Sequence, residues 1–183
     1  MRNLTTLIIL FFALVFVGLD SALAQAPKFA ALDKSPLDMA YYPRRGEKIV
    51  KVVYSRPAKN GRTIFGELEK FGQVWRAGAN EATEISFIKD VTMGGKAVKA
   101  GTYLLFVIPN QDKWTVILNS EKDQWGAYSY KKESNVVEVD VPVKNSADVI
   151  ENFSISVDEA PKGATMYMGW DKTYVEVPLE FSK

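Results

Sequence analysis

Thr102-Tyr103-Leu104-Leu105-Phe106-Val107-Ile108-Pro109, followed by Asn110-Gln111-Asp112 and then by Trp114-Thr115-Val116-Ile117-Leu118, decides the fold class. The first run is apolar at successive positions, so it has no wet face, and it stops at a proline. Such a run is a strand covered on both sides, in the middle of a sheet. The polar triplet Asn110–Asp112 is a turn, and residues 114–118 return as the hairpin partner.

The same period of two extends outward in both directions. Ile49–Tyr54 is β-branched and reads as a strand. Ala82–Asp90 alternates, with Thr83, Ile85 and Phe87 on one face, and Met93-Gly94-Gly95-Lys96 is a hairpin turn. Toward the C-terminus, Val137, Val139, Val141 and Val143 alternate with Glu138, Asp140 and Pro142, and Phe153, Ile155 and Val157 alternate with polar residues. Thr165–Trp170 and Tyr174–Phe181 form a final pair around Asp171-Lys172, with Val175, Val177, Leu179 and Phe181 facing in. This many strands, short polar turns and no long amphipathic helix predict an all-β fold. We expect a single-domain antiparallel β-sandwich, jelly-roll-like, over residues 47–183, with short helical turns near 67–71 and 145–150. Residues 25–46, with Pro27, Pro36 and Pro43, read as an extended lead-in.

Residues 1–24 have the pattern of a cleaved signal peptide: Arg2 near the start, an apolar run from Leu4 to Leu19, and Ala22-Leu23-Ala24 before the cut. The expected location is periplasmic or secreted, with no transmembrane segment once the leader is removed. Gln25, not a lipid-bearing Cys, follows the cut.

Composition excludes several chemistries. The chain has no His and no Cys, which removes Ser-His-Asp triads, Cys nucleophiles, His proton shuttles and ordinary zinc sites. No cofactor fingerprint or metal-ligand spacing is present; Glu67 and Glu69, two apart, are a weak pair. The net charge of +1 gives no pull toward nucleic acid.

One stretch departs from alternation. Every Arg after the leader lies between 44 and 76: Arg44, Arg45, Arg56, Arg62 and Arg76. All other basic residues after the leader are Lys. Guanidinium holds carboxylates and phosphates through a planar fork that ammonium lacks. Arg56, Arg62 and Arg76 are therefore candidate ligand-binding residues, or else ties between loops and buried carboxylates or aromatic rings. Strand parity places Glu81 on the face of Thr83 and Ile85, where a carboxylate needs a partner. Glu81 is half of an ion pair with one of these Arg, or a general acid/base. Asn80 is a turn residue or an amide that reads a ligand. Trp75 and Trp125 are candidate stacking rings, and Trp125 with Tyr128 and Tyr130 alternatively caps the sandwich end.

Ser55-Arg56-Pro57, Gly61-Arg62, Ile64-Phe65-Gly66, Val74-Trp75-Arg76-Ala77-Gly78-Ala79-Asn80-Glu81-Ala82-Thr83, Ala100-Gly101-Thr102-Tyr103 and Trp125-Gly126 resemble the signature of the domain of unknown function 2911 family. The likeness covers about residues 33–143 well and the remainder loosely. It implies a bacterial envelope location and one β-rich domain, and it implies no activity.

Three functions fit these residues. The first is a periplasmic or secreted binding domain with an Arg-rich pocket for a small anionic or polyhydroxylated ligand, including a carbohydrate. The second is a hydrolase or lyase using Glu81 with Arg stabilisation. The third is a structural or interaction module of the cell envelope. The residues do not fix the oligomeric state.

Overall fold

The computed structural model of the chain describes residues 26–181. The leader at 1–24 lies outside them. Residues 26–32 carry no regular structure and are exposed, and residues from Asp33 onward form one compact unit. Among the described residues, no helix is long and apolar enough to cross a membrane.

That unit is an antiparallel β-sandwich with nine strands: β1 Leu37–Tyr42, β2 Val50–Ser55, β3 Thr83–Phe87, β4 Val91–Met93, β5 Lys96–Val98, β6 Gly101–Pro109, β7 Lys113–Asn119, β8 Asn135–Ala160 and β9 Gly163–Phe181. The hydrogen-bonded order is β1-β2-β3-β6-β7-β8-β9-β4-β5. The long strand β8 belongs to both layers. Its first half pairs with β7, from Asn119↔Asn135 to Lys113↔Pro142, and its second half pairs with β9 through Ala160↔Gly163.

Alternation explains the core. Val50, Val52, Tyr54, Ile85, Phe87, Leu105, Val107, Val116, Leu118, Val137, Val139 and Val141 point inward from one layer. Phe153, Ile155, Val157, Met166, Met168, Trp170, Val175, Val177 and Leu179 meet them from the other. Strand β6 sits between β3 and β7, and Leu104 to Val107 are all buried, as its two-sided apolar run predicts. Its outward side chains Leu104 and Phe106 join Ala82 and Ile117 in a smaller core under residues 120–131.

Two local expectations are corrected. Asp171-Lys172 is not a hairpin turn: β9 runs straight through it, bending at Asp171, whose φ is 56°. Residues 145–150 are strand, not helix; the register of β8 shifts between Asn145 and Ser154, which lets it bend between layers. Residues 66–68 form turns, and a 3-10 turn lies at Lys132–Ser134. The lead-in also contributes the edge strand β1.

The Gly94-Gly95 turn is present and asymmetric. Both residues have positive φ, 52° and 84°. A Cβ at Gly94 would lie 2.2 Å from Val139 Cγ1, whereas nothing lies within 4 Å of one at Gly95. Gly95→Ala is expected to cost about 1–2 kcal/mol through backbone conformation alone. Gly94→Ala should cost about 1–3 kcal/mol more through overpacking. Urea denaturation of both variants checks this ordering.

Candidate functional site

The segment from 56 to 82 links β2 to β3 and is pinned to the sheets by isolated bridges at Ala58, Trp75 and Glu81. Trp75 exchanges two hydrogen bonds with Val107, at 2.7 and 2.8 Å, as an isolated bridge beside β6. Its indole is 3% exposed and packs against Phe65, Trp114, Phe153 and Trp170, stacking on Trp170 at 5.9 Å. The indole Nε1 donates to the Gly78 carbonyl at 3.1 Å, and Thr83 Oγ1 donates to the Ala77 carbonyl at 2.6 Å. A Cβ at Gly78 would sit 2.9 Å from the Ser55 carbonyl oxygen. The loop closes on itself only with glycine there. Trp75 is thus a core residue, and its ring has no face for a ligand.

The three candidate guanidinium groups do not gather in one cleft. Arg56 bonds Asp38 at 2.8 Å, the Phe153 carbonyl at 3.2 Å and Ser154 Oγ at 2.7 Å, tying β2 to the second layer. Arg62 folds back on its own loop, donating to the carbonyls of Lys59 and Ala58. Arg76 is half-buried, and its Nε is buried without a hydrogen-bond partner. Arg76 and Arg62 share one neighbour that composition did not single out, Glu69. Burial pushes the Glu69 carboxyl up to about 7, against the opposing pull of Arg76 and then Arg62. Arg56 and Arg62 are thus bonded to the scaffold, and Arg76 and Arg62 stand within electrostatic reach of the half-buried Glu69.

Glu69 makes stability depend on pH. Its folded value lies above the ordinary 4.5, so the folded protein holds this proton more tightly than the unfolded chain. The resulting stabilisation is complete below the unfolded value and is lost as pH rises through about 7. Between about pH 5 and about pH 8 the denaturation midpoint is expected to fall, and Glu69→Gln should flatten that decline. Thermal melts across the range check it.

Asn80, Glu81 and Trp125 do come together, elsewhere. The loop around 123–126 is stitched to residues 80–82: the Ala82 amide donates to the Gln124 carbonyl at 2.8 Å, and the Gly126 amide donates to the Asn80 carbonyl at 3.0 Å. Glu81 and Trp125 face each other in this two-residue ladder, so their side chains leave on the same side. Glu81 is exposed, which corrects the parity argument. The strand proper starts at Thr83, and Ala82 turns outward into the small second core. Among the described residues, no Arg pairs with Glu81. Asn80 adopts φ 59° and its amide donates to Asp33 at 3.2 Å. That bond, after the one from the Ser35 amide, holds the Asp33 carboxyl below its ordinary value. Trp125 is 61% exposed and Tyr128 86%.

Beside this rim lies a cleft of about 280 Å³ on the outer face of β1, β2, β3 and β6. The register Met39↔Val53, Val53↔Glu84, Glu84↔Leu104 places Glu84 in the middle of its floor. Leu37, Val53, Ala82 and Leu104 supply apolar wall, and Ser55, Glu81, Asp123 and Gln124 supply polar groups. A larger cleft of about 570 Å³ near Gly94 is lined by groups that satisfy one another: Asp140 holds Lys113 and Thr115, and Lys96 donates to the Glu138 carbonyl. The cleft over β2 and β3 carries carboxylates, from Glu81, Glu84 and Asp123, with no hydrogen bond or ion pair among the described residues, which makes it the candidate site. Among the described residues, no group of three or more acidic side chains is arranged to hold a metal ion.

A family model described as "Protein of unknown function (DUF2911)" matches residues 35–179, and the chain belongs to that family. No curated protein and no solved structure matches the chain.

Proposed function

We propose that the protein is an exported binding domain and that its ligand is small and polyhydroxylated, held in the cleft beside Trp125. The observation that carries this reading is the bridge that pairs Trp125, whose ring is exposed, with Glu81, one of the residues lining a half-apolar cleft. A sugar has C–H faces that pack on an indole and hydroxyls that donate to carboxylates. The cleft volume lies near the lower end of the range for small-molecule sites, about 300–1,000 Å³. An anionic ligand is disfavoured. Glu81, Glu84 and Asp123 line the cleft and no Lys or Arg does. The same absence weighs against acid/base catalysis by Glu81, because nothing basic stands ready to stabilise developing negative charge. Export is supported by Arg2, the apolar run from Leu4 to Leu19 and the Ala22-Leu23-Ala24 cut site.

Titration with soluble oligosaccharides is expected to change tryptophan emission, and citrate or phosphate is expected to leave it unchanged. Trp125→Ala, with an unaltered melting temperature, should weaken sugar binding by about tenfold or more. A response to anions that survives in Trp125→Ala would refute the reading. Independently, protein made in a Gram-negative host from the full-length chain is expected to leave the cytoplasm and begin at Gln25. Retention in the cytoplasm at full mass would contradict export.

A further inference from the structure

We infer that the tip of the β1–β2 hairpin, with the turn after β3 beside it, is a docking face for an anionic lipid bilayer. The inference does not depend on what the cleft beside Trp125 holds.

Residues 41–51 carry Arg44, Arg45, Lys48 and Lys51 against one acid, Glu47. Arg44, Arg45 and Lys51 are exposed, and among the described residues none of their side chains makes a hydrogen bond or an ion pair. Several cations elsewhere are committed: Arg56 to Asp38 at 2.8 Å, Lys99 to Asp90 at 2.7 Å, Lys113 to Asp140 at 2.6 Å and Lys144 to Glu176 at 2.7 Å. Lys48 holds the loop in shape. Its ammonium donates to the carbonyls of Pro43 and Arg44, at 2.9 and 2.7 Å, and lies 4.5 Å from the centre of the Tyr41 ring. Lys51 is the cross-strand partner of Tyr41, so the two side chains leave the same face of the sheet. The hairpin tip thus presents unpaired cations on a braced backbone. Two of them are guanidinium groups, whose planar fork fits phosphate oxygens.

Apolar side chains share this tip. Ile88 is 57% exposed, and it is held there because its amide donates to the Ile49 carbonyl at 2.9 Å. It lines one surface depression with Glu47, Lys48, Ile49 and Lys89. From the loop, Tyr41 and Met39 continue an exposed apolar surface along the outer face of β1. Water or a soluble polyanion gains nothing from these side chains. An anionic bilayer surface uses both kinds. Its phosphates meet the cations, Ile88 and Tyr41 enter the boundary between headgroups and acyl chains, and the long basic side chains reach back to the phosphates. Basic clusters that bind anionic lipid hold about four to eight Lys or Arg. Four put this face at the lower end, so docking is reversible and sensitive to salt.

The test is co-sedimentation of the protein, purified from a Gram-negative host expressing the full-length chain, with two kinds of vesicle. One holds equal parts of phosphatidylglycerol and phosphatidylcholine, and the other holds phosphatidylcholine alone. The ratio of the two affinities is the readout, because an apolar contribution made elsewhere in the chain enters both. The wild-type protein is expected to prefer the anionic vesicles by about tenfold or more, and to lose the preference as salt is raised. The double variant Arg44→Gln/Arg45→Gln, in which neither replaced side chain is bonded in the fold, should bring the ratio close to unity. Ile88→Ser, with an unaltered melting temperature, should weaken binding to the anionic vesicles severalfold and leave retention on immobilised heparin unchanged. Equal affinity for both vesicles, or a preference that the double variant keeps, overturns the inference. A preference that needs Arg44 and Arg45 but is indifferent to Ile88→Ser marks a site for soluble polyanions and overturns bilayer docking.

Discussion

The indole of Trp75 is the constraint on which the irregular part of this molecule depends. It lies in the core between the two layers, and it meets Trp114 from one layer and Phe153 and Trp170 from the other. Aromatic rings of this size dominate core energetics, and edge-on packing adds to the burial. Because Trp75 is also bonded to Val107 through its backbone, the residues that follow it have little freedom. Ala77 takes a positive φ, Gly78 presses on the Ser55 carbonyl, and the chain is delivered to β3 at Thr83 in one position.

The candidate site is the consequence. With residues 80–82 fixed, the 123–126 loop can pair with them, and that pairing brings Asp123, Gln124 and Trp125 up to the outer face of β2 and β3. The site is therefore made of fixed backbone with side chains projecting from it, and its floor is regular sheet. The Arg residues contribute at one remove. Arg56 ties the end of β2 to β8, Arg62 secures the loop before Glu69, and Arg76 stands within electrostatic reach of that half-buried acid. Such a division, cations in the scaffold and acceptors in the cleft, gives the cleft its unbalanced chemistry.

Much of the fold was legible because alternation is a local property. The valines of 137–141, the run at 104–107 and the inward faces of β8 and β9 could be assigned from spacing alone. What failed were places where a neighbour far along the chain overrides local preference. Asp171-Lys172 has turn chemistry, yet the partner strand carries β9 through it as a bend. Leu37–Tyr42 lies in a proline-rich stretch, and its strand exists because β2 offers an edge. Glu81 was misplaced because β3 begins only at Thr83 and Asn80, at φ 59°, turns the chain just before it, so strand parity does not extend back to residue 81. The Arg cluster was visible as composition, but composition does not say which way a side chain faces. Glu69 stood out in the sequence only as a weak pair with Glu67, and only the folded loop half-buries it.

On the proposed function the ligand-facing surface is the cleft on β2, β3 and the 123–126 loop, and not the Arg-bearing loops. Backbone amide chemical-shift mapping during addition of a soluble oligosaccharide is the decisive measurement. The largest shifts are expected on Val53, Glu84, Gln124 and Trp125, with Lys59, Arg62 and Arg76 unmoved. Shifts centred on Arg62, Glu69 and Arg76, with the cleft residues unmoved, would contradict it.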